Sequence, residues 1–230
     1  MSVFVAEELS EVLNTKVVIG RINMGLLNRI IIDDVLLDDQ SGQEMLKVTR
    51  LSAKFDIMPF FKGKISISSV QLFGFNINLR KETPDSPPNF KFVLDAFASK
   101  DTVKKENSLD LRINSILIRR GRMSYHVLSE EETPGKFNAK HIQLQNIIAN
   151  ISLKALSKDS LNLGIKRLSL DEKASGFSLK KMSLKLVANN KQTNIDNFTI
   201  ALPETSLKLD TIHLEYDSLR ACDRFTGQVH

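Results

Sequence analysis

The sequence contains one cysteine, Cys222, and no tryptophan in 230 residues. A single cysteine excludes an intramolecular disulfide and a cysteine-rich zinc site, and it leaves the redox compartment undecided. The 10 glycines and 6 prolines are too few for a collagen-like chain or a flexible linker. With 42% hydrophobic and 26% charged residues, the composition is instead that of a globular protein whose fold is held by packing.

Long apolar runs are also missing. No stretch approaches the roughly 18 consecutive apolar residues that cross a bilayer as a helix. Residues 1–8 lack the basic region and the continuous apolar core of a secretion signal. The sequence therefore predicts no membrane span within these residues. It leaves open whether a membrane anchor precedes them.

Motifs that carry common chemistries are absent as well. We find no GxGxxG, GxxxxGK[ST], GxSxG, CxxC or HExxH pattern, so nucleotide, hydrolase, redox and zinc-protease signatures are lacking. The acid pairs Asp33-Asp34 and Asp38-Asp39 flank a probable strand and are interpreted as solvated turn residues. The four histidines are scattered, with no pair four residues apart: His126, His141, His213 and His230. We therefore predict a protein that is not an enzyme and has no catalytic residue, metal or cofactor, with His141 and His213 as outward polar residues.

The formal net charge is +5, and its densest basic cluster is Arg119-Arg120-Gly121-Arg122. This cluster is interpreted as a solvated turn that follows Ile116-x-Ile118, with contact to an anionic lipid headgroup as the alternative. Nucleic-acid binding would need aromatic platforms or a basic stripe, and only Tyr125 lies nearby. No nucleic-acid partner is therefore expected.

One pattern dominates the chain. Apolar and polar residues alternate with a period of two, as in a half-buried strand, then a two-residue polar gap intervenes and the alternation resumes. Leu161-x-Leu163-x-Ile165-x-x-Leu168-x-Leu170 is a clear example. Gaps of this kind precede the following apolar residues: Val35, Leu51, Val70, Ile116, Ile147, Leu168, Met182, Phe198 and Ile212.

In a regular strand such a gap would move every later apolar side chain to the opposite face of the sheet. A β-bulge inserts one residue, bends the strand and restores the original face. The recurring gaps therefore predict a curved sheet, with loops between shorter strands as the alternative at some of them. The short spacing of gaps after Leu161 predicts antiparallel neighbours, because parallel strands need long crossovers.

Two segments have helical rather than strand periodicity. Residues ~3–13 carry Val5, Leu9 and Val12 at helical spacing. Asn89 follows two prolines and precedes an apolar stripe that begins at Phe90, which is an N-cap signal. We predict an N-terminal amphipathic helix within residues 1–15 and a single curved β-sheet domain over 16–230, with a helical insertion at about 89–99 that plugs one end of the sheet.

The predicted dimensions leave an apolar face uncovered. Nine or more strands about 4.8 Å apart make a sheet roughly 45 Å wide. Each predicted helix is only about 16 Å long and cannot cover it. The fold class predicted is therefore mainly β, a long and strongly curved antiparallel meander that forms a taco-like groove or a flattened open barrel, whose apolar face is hidden by curling, by a partner or by lipid.

Several phrases of the sequence resemble AsmA/TamB-type envelope proteins, in particular the N-terminal region of long TamB-like chains of Bacteroidetes. The resemblance covers most of the chain but rests on apolar patterns rather than on catalytic motifs. It is carried by Thr15–Ile22 (TKVVIGRI), Ile31–Asp39 (IIDDVLLDD), Ile65–Phe75 (ISISSVQLFGF) and Ile113–Tyr125 (INSILIRRGRMSY).

The resemblance implies a periplasmic protein of a Gram-negative envelope, held at the inner membrane by an N-terminal helix that would precede these residues. It implies a β-groove that carries the chains of phospholipids or other acyl lipids between the inner and outer membranes. It also implies an outer-membrane barrel partner for protein translocation and assembly, bound through regions outside this sequence.

The predicted function is accordingly a non-enzymatic groove that holds lipid chains. The alternative is a scaffold for outer-membrane protein assembly that acts by strand-edge pairing. A closed core that touches only protein remains the simpler interpretation of each candidate groove residue taken singly. The candidates are Ile116, Ile118, Ile147, Ile151, Leu168, Leu170, Met182 and Leu184.

Overall fold

The structure is a computed structural model that describes residues 2–26, 28–55, 67–98, 113–156, 160–216 and 224–228. It contains helix α1 (Ser2–Leu13) and helix α2 (Lys91–Ala98). The strands are β1 (Val17–Gly25), β2 (Arg29–Asp38), β3 (Glu44–Phe55), β4 (Ile67–Lys81), β5 (Ile113–Val127), β6 (His141–Leu156), β7 (Ser160–Glu172), β8 (Ser178–Asn189), β9 (Gln192–Ala201), β10 (Ser206–Glu215) and β11 (Arg224–Gln228).

All these strands belong to one sheet, and their order in space is their order in the chain. The sheet is curved and open: among the described residues, β1 pairs only with β2 and β11 only with β10. The predicted fold class, a mainly β protein with an open curved meander and two short helices, is confirmed.

One pair of strands departs from the antiparallel meander. β4 and β5 are parallel, with Val70 opposite Ile116 and Lys81 opposite Val127. The antiparallel prediction is wrong at this pair because residues 82–112, which include α2, intervene between the two strands. A connection of this length is a crossover, which parallel neighbours require.

The polar gaps are taken up by irregular pairing, as predicted. Between β7 and β8, Ile165 pairs with Leu184 and Leu168 pairs with Met182, so two residues of β7 oppose the single residue Ser183 of β8. Register shifts of this kind also occur between β5 and β6 and between β6 and β7. Each shift absorbs one residue and keeps the apolar side chains on one face.

Where gaps in neighbouring strands face each other, no shift is needed. Asp33 pairs with Arg50, Arg50 with Phe73 and Phe73 with Arg119. We call this row of adjacent gaps the fold line. Five residues with positive φ occupy the second position of such gaps: Asp34, Gly74, Arg120, Asn146 and Asn197.

The basic cluster at residues 119–122 lies within β5, so its interpretation as a turn is wrong. Gly121 occupies an apolar-face position, where it pairs with Ile147 and is buried. Because glycine adds no apolar side chain there, the alternation is interrupted and imitates a strand end. The gap Arg119-Arg120 is not visible in the pattern because the residue after it, Gly121, has no apolar side chain. The gap at Phe73-Gly74 is not visible because Phe73 is itself apolar.

The buried apolar residues form two clusters on the apolar face. One centres on Val48, Phe75 and Ile147 at the fold line. Partly buried side chains from both sides of the gaps pack against it, including Leu72 before the β4 gap and Ile77 after it. This contact shows that the gaps leave both halves of a strand facing the same way.

The second cluster lies where the helices meet the sheet. Ala6 of α1 packs with Val17, Ile19 and Leu37, and Phe92 of α2 packs against the same cluster. The helices thus cover one end of the apolar face, next to β1.

The acid pairs are not solvated turn residues, which corrects that interpretation; Asp34 is exposed but lies within β2. Asp33, Asp38 and Asp39 are buried, and Asp39 is only 2% exposed. Arg80 Nη2 donates to Asp39 Oδ2 at 2.6 Å. Burial opposes ionisation of Asp39, but hydrogen bonds from Ser41, Asn89 and the backbone outweigh it and lower the pKa.

Asn89 joins the helical insertion to the sheet rather than capping α2. Its Nδ2 donates to Asp39 Oδ2 at 3.1 Å and to the Asn78 carbonyl at 3.0 Å, while its Oδ1 accepts from the Arg80 backbone N–H. The prediction that Asn89 caps the helix is therefore wrong, because its side-chain oxygen and nitrogen are both bonded to residues outside α2.

Glu172 closes the turn between β7 and β8. It is 3% exposed. Its carboxylate accepts from Ser175 Oγ and from the backbone N–H groups of Ser175, Ala174 and Gln143. Burial opposes its ionisation, but these hydrogen bonds outweigh burial and lower the pKa from 4.5 to about 2.

A carboxyl group with a depressed pKa in the folded state stabilises the fold above its unfolded pKa. That stabilisation, roughly 3 kcal/mol for Glu172, is lost as the pH falls from about 4.5 through about 2. We expect Glu172→Gln to be less stable than the wild type at pH 7, with the difference shrinking over that window. Urea unfolding at a series of pH values measures it, with the exposed Glu204→Gln as control. A difference independent of pH would contradict this account.

The space around Gly121 is too small even for the methyl side chain of alanine. A Cβ there would lie 2.4 Å from Cε1 and Cζ of Phe75 and 3.0 Å from Cβ of Ile147. We expect Gly121→Ala to destabilise the fold by about 1–3 kcal/mol. Adding Phe75→Leu removes the clashing ring atoms, so the double variant should lose less than the sum of the single changes. Additive losses in denaturant unfolding would show that the ring does not set this constraint.

Candidate functional site

The candidate site is the apolar face of the sheet between β5 and β8, where cross-strand pairing assembles two rows of side chains. In the first row, Ile116 pairs with Ile151, Ile151 with Ile165 and Ile165 with Leu184. This row therefore contains three of the predicted groove residues and adds Ile165.

The second row runs beside the first. Ile118 pairs with Ala149, Ala149 with Leu168, and Leu168 with Met182. It continues beyond the predicted residues on both sides, through Leu72 on β4 and Ile200 on β9.

The two remaining predicted residues lie across the gaps from these rows. Ile147 pairs with Gly121, and Leu170 packs against the cluster that contains Ile147. The rows contain further positions that sequence reasoning omitted, although a signal was present. Ile165 and Leu72 lie at alternating positions beside gaps, just as the selected residues do.

The apolar face is only partly hidden from solvent. Of the eight predicted residues, Ile147 is buried at 9% exposure and the others are partly exposed. The accessible surface of the whole chain is 15600 Å². A compact monomer of 25.9 kDa has about 10,500 Å². Part of this surplus is expected from a sheet over which, in the described residues, the helices pack only at the end next to β1.

The helices do not extend over the candidate site. α1 contacts β1 and α2 contacts α1, while each strand contacts its sheet neighbours. Within the described residues, no other element lies over the apolar face between β5 and β10.

The chemistry of the face is that of a hydrocarbon surface. Its rows are built from isoleucine, leucine, methionine and alanine. In the described part of the chain, no buried side-chain nitrogen or oxygen lacks a hydrogen-bond partner. The face is therefore suited to nonpolar ligands, for which burial contributes about 0.8 kcal/mol per methylene without a specific polar contact.

The opposite face of the sheet is polar and charged along the fold line. Arg50 Nε donates to Asp33 Oδ1 at 2.6 Å. This hydrogen bond lowers the pKa of Asp33 and outweighs the opposing effect of burial. A cleft of about 650 Å³ lies beside the pair and is lined in part by Arg21, Phe73 and Arg119. Arg120 lies 5.2 Å from the centre of the Phe73 ring.

Basic residues fill the gaps of three strands on this polar side. They are all exposed: Arg119, Arg120, Lys166, Arg167, Lys180 and Lys181. The two faces of the sheet thus differ sharply, with hydrocarbon on one and a concentration of positive charge on the other.

Two histidines that seemed unrelated in the sequence are neighbours in the structure. His126 and His141 are cross-strand partners, and Glu132 lies beside them. The signal available in the sequence was their symmetric placement about the loop between β5 and β6, which a search for helical i, i+4 spacing overlooks. His141 is buried at 7% exposure, so its interpretation as an outward residue is wrong. His213 is partly buried and contacts Asn194 and Glu215.

The described helices are too short and insufficiently apolar to cross a bilayer. No family model matches this sequence, and a search of the curated proteins returns no match.

Proposed function

We propose that this chain is a non-enzymatic lipid-binding groove whose apolar face holds acyl chains. The observation that carries the proposal is the continuous, partly exposed apolar face from β5 to β9. It is built from two rows of paired side chains, and none of the described elements forms a second layer over them. The resemblance to AsmA/TamB-type proteins adds the setting: a periplasmic module, tethered at the inner membrane, that passes phospholipid or another acyl lipid between the two membranes.

The register shifts between β5 and β8 support a groove in preference to a flat sheet. Each bulge bends its strand and increases the local twist, so the sheet curves in this region. We infer that the apolar side is the concave side. An acyl chain placed there contacts aliphatic side chains along its length, and burying ten methylenes would contribute about 8 kcal/mol before the costs of binding.

The two faces of β6 provide a matched pair of variants. Ile151 belongs to the first row, whereas Ile148 points to the polar side and is 37% exposed. We expect Ile151→Asp to lose bound lipid, because a carboxylate in the row would have to be desolvated by the ligand. Ile148→Asp should retain lipid.

The measurement is solvent extraction of the purified protein followed by lipid mass spectrometry, with circular dichroism as the folding control. Titration of a fluorescent fatty acid gives an independent affinity. The wild type should carry phospholipid or bind the probe. Failure of the folded wild type to do either would overturn the proposal, as would equal lipid retention by both variants.

A second function is favoured by the open edges of the sheet. In the part of the chain that the structure describes, β1 and β11 each have one unpaired side, and an unpaired strand edge can accept an extended segment of another protein. We infer as the alternative a scaffold that assembles outer-membrane proteins by strand pairing. A folded but lipid-free protein that protects a strand peptide from hydrogen exchange would favour the scaffold over the groove.

A further inference from the structure

The hairpin of β5 and β6 brings two imidazoles into direct contact. His126 and His141 stand opposite each other at the end of the ladder, and their Nδ1 atoms are 3.0 Å apart. Their ring centroids are 5.3 Å apart, with the planes inclined at 53°. Two nitrogens at this distance need either a shared proton or a cation between them, because two lone pairs would repel.

The orientation of His141 is set by a second contact. Its Nε2 lies 2.9 Å from the carbonyl oxygen of Glu130. Since a carbonyl can only accept, Nε2 carries the hydrogen, and in the neutral ring the lone pair of Nδ1 points toward His126. A backbone carbonyl in this role is the usual outer partner of a metal-binding histidine.

A carboxylate completes the cluster. Oε1 of Glu132 lies 3.8 Å from Nδ1 of His126 and 4.0 Å from Nδ1 of His141. The Glu132 side chain is 64% exposed, so it can move toward the two rings. The nearby cation Lys140 is held at 2.6 Å by Glu130 Oε2.

We propose that His126, His141 and Glu132 bind one divalent transition-metal ion, with Zn²⁺ as the probe. Two imidazoles and one carboxylate are ligands that suit such ions, and a fourth position would stay open to water. Tetrahedral bonds of about 2.05 Å separate ligand atoms by about 3.3 Å. The two Nδ1 atoms, 3.0 Å apart, would separate by about 0.3 Å, and the carboxylate oxygen, at 3.8 and 4.0 Å, would approach them by about 0.5–0.7 Å.

The bound ion would have a structural role that is independent of lipid binding. His126 and His141 belong to the sheet, whereas Glu132 belongs to the connection between β5 and β6. An ion held by all three would clamp this connection onto the end of the hairpin. The clamp would stabilise the folded state, because the unfolded chain does not hold the three ligands together.

The test is calorimetric titration of the full chain with Zn²⁺. We expect one ion per chain for the wild type. His126→Gln should weaken binding by more than the 10–100-fold that loss of an outer partner typically costs. Glu132→Gln should weaken it by at least about tenfold. His213→Gln, a histidine of β10 outside the cluster, should bind as the wild type does.

Two further readouts keep the result decisive. Zn²⁺ should raise the melting temperature of the wild type and of His213→Gln but not of His126→Gln. Co²⁺ should give the intense visible absorption of a four-coordinate site in the wild type and in His213→Gln but not in the cluster variants. If His126→Gln fails to fold, the exposed Glu132→Gln decides. Absence of stoichiometric binding, or unchanged binding in the cluster variants, would leave a histidine–histidine hydrogen bond and overturn the proposal.

Discussion

The strict alternation of side chains along a strand is the constraint on which this structure depends. A two-residue polar gap would turn half of each strand inside out unless the backbone absorbed one residue. The chain does so in two ways: by register shifts, as between Ile165 and Leu168, and by placing gaps opposite each other, as at Asp33 and Arg50. Both keep the aliphatic residues on one face, and positive φ at residues such as Asn146 accommodates the bend.

This arrangement makes a sheet whose cohesion comes from its neighbouring strands rather than from a second layer. Buried carboxylates stabilise the connections of the sheet through hydrogen bonds. Asp39 joins the helical insertion to the strands, and Glu172 holds the turn between β7 and β8. Stability is thus distributed along the chain as a series of local interfaces.

Sequence periodicity predicted the fold class, both helices and the face on which residues such as Ile118 and Leu168 lie, because these properties are local. It missed the parallel pairing of β4 and β5, which is set by a long connection. It interpreted the basic cluster as a turn, because Gly121 interrupts the apolar pattern. Burial of Asp39 and the meeting of His126 with His141 depend on pairing between distant residues, which a one-dimensional pattern does not contain.

The sequential strand order has a consequence for anything that moves along the sheet. From β5 to β8, each strand adds one aliphatic residue to each of the two rows, about 4.8 Å beyond the strand before it. An acyl chain bound in the proposed groove would therefore find a series of binding positions of similar affinity, separated by low energy barriers. Duplication of strand pairs would lengthen the proposed groove without changing the residue types that line it. The length of the groove could therefore evolve separately from its selectivity for ligands.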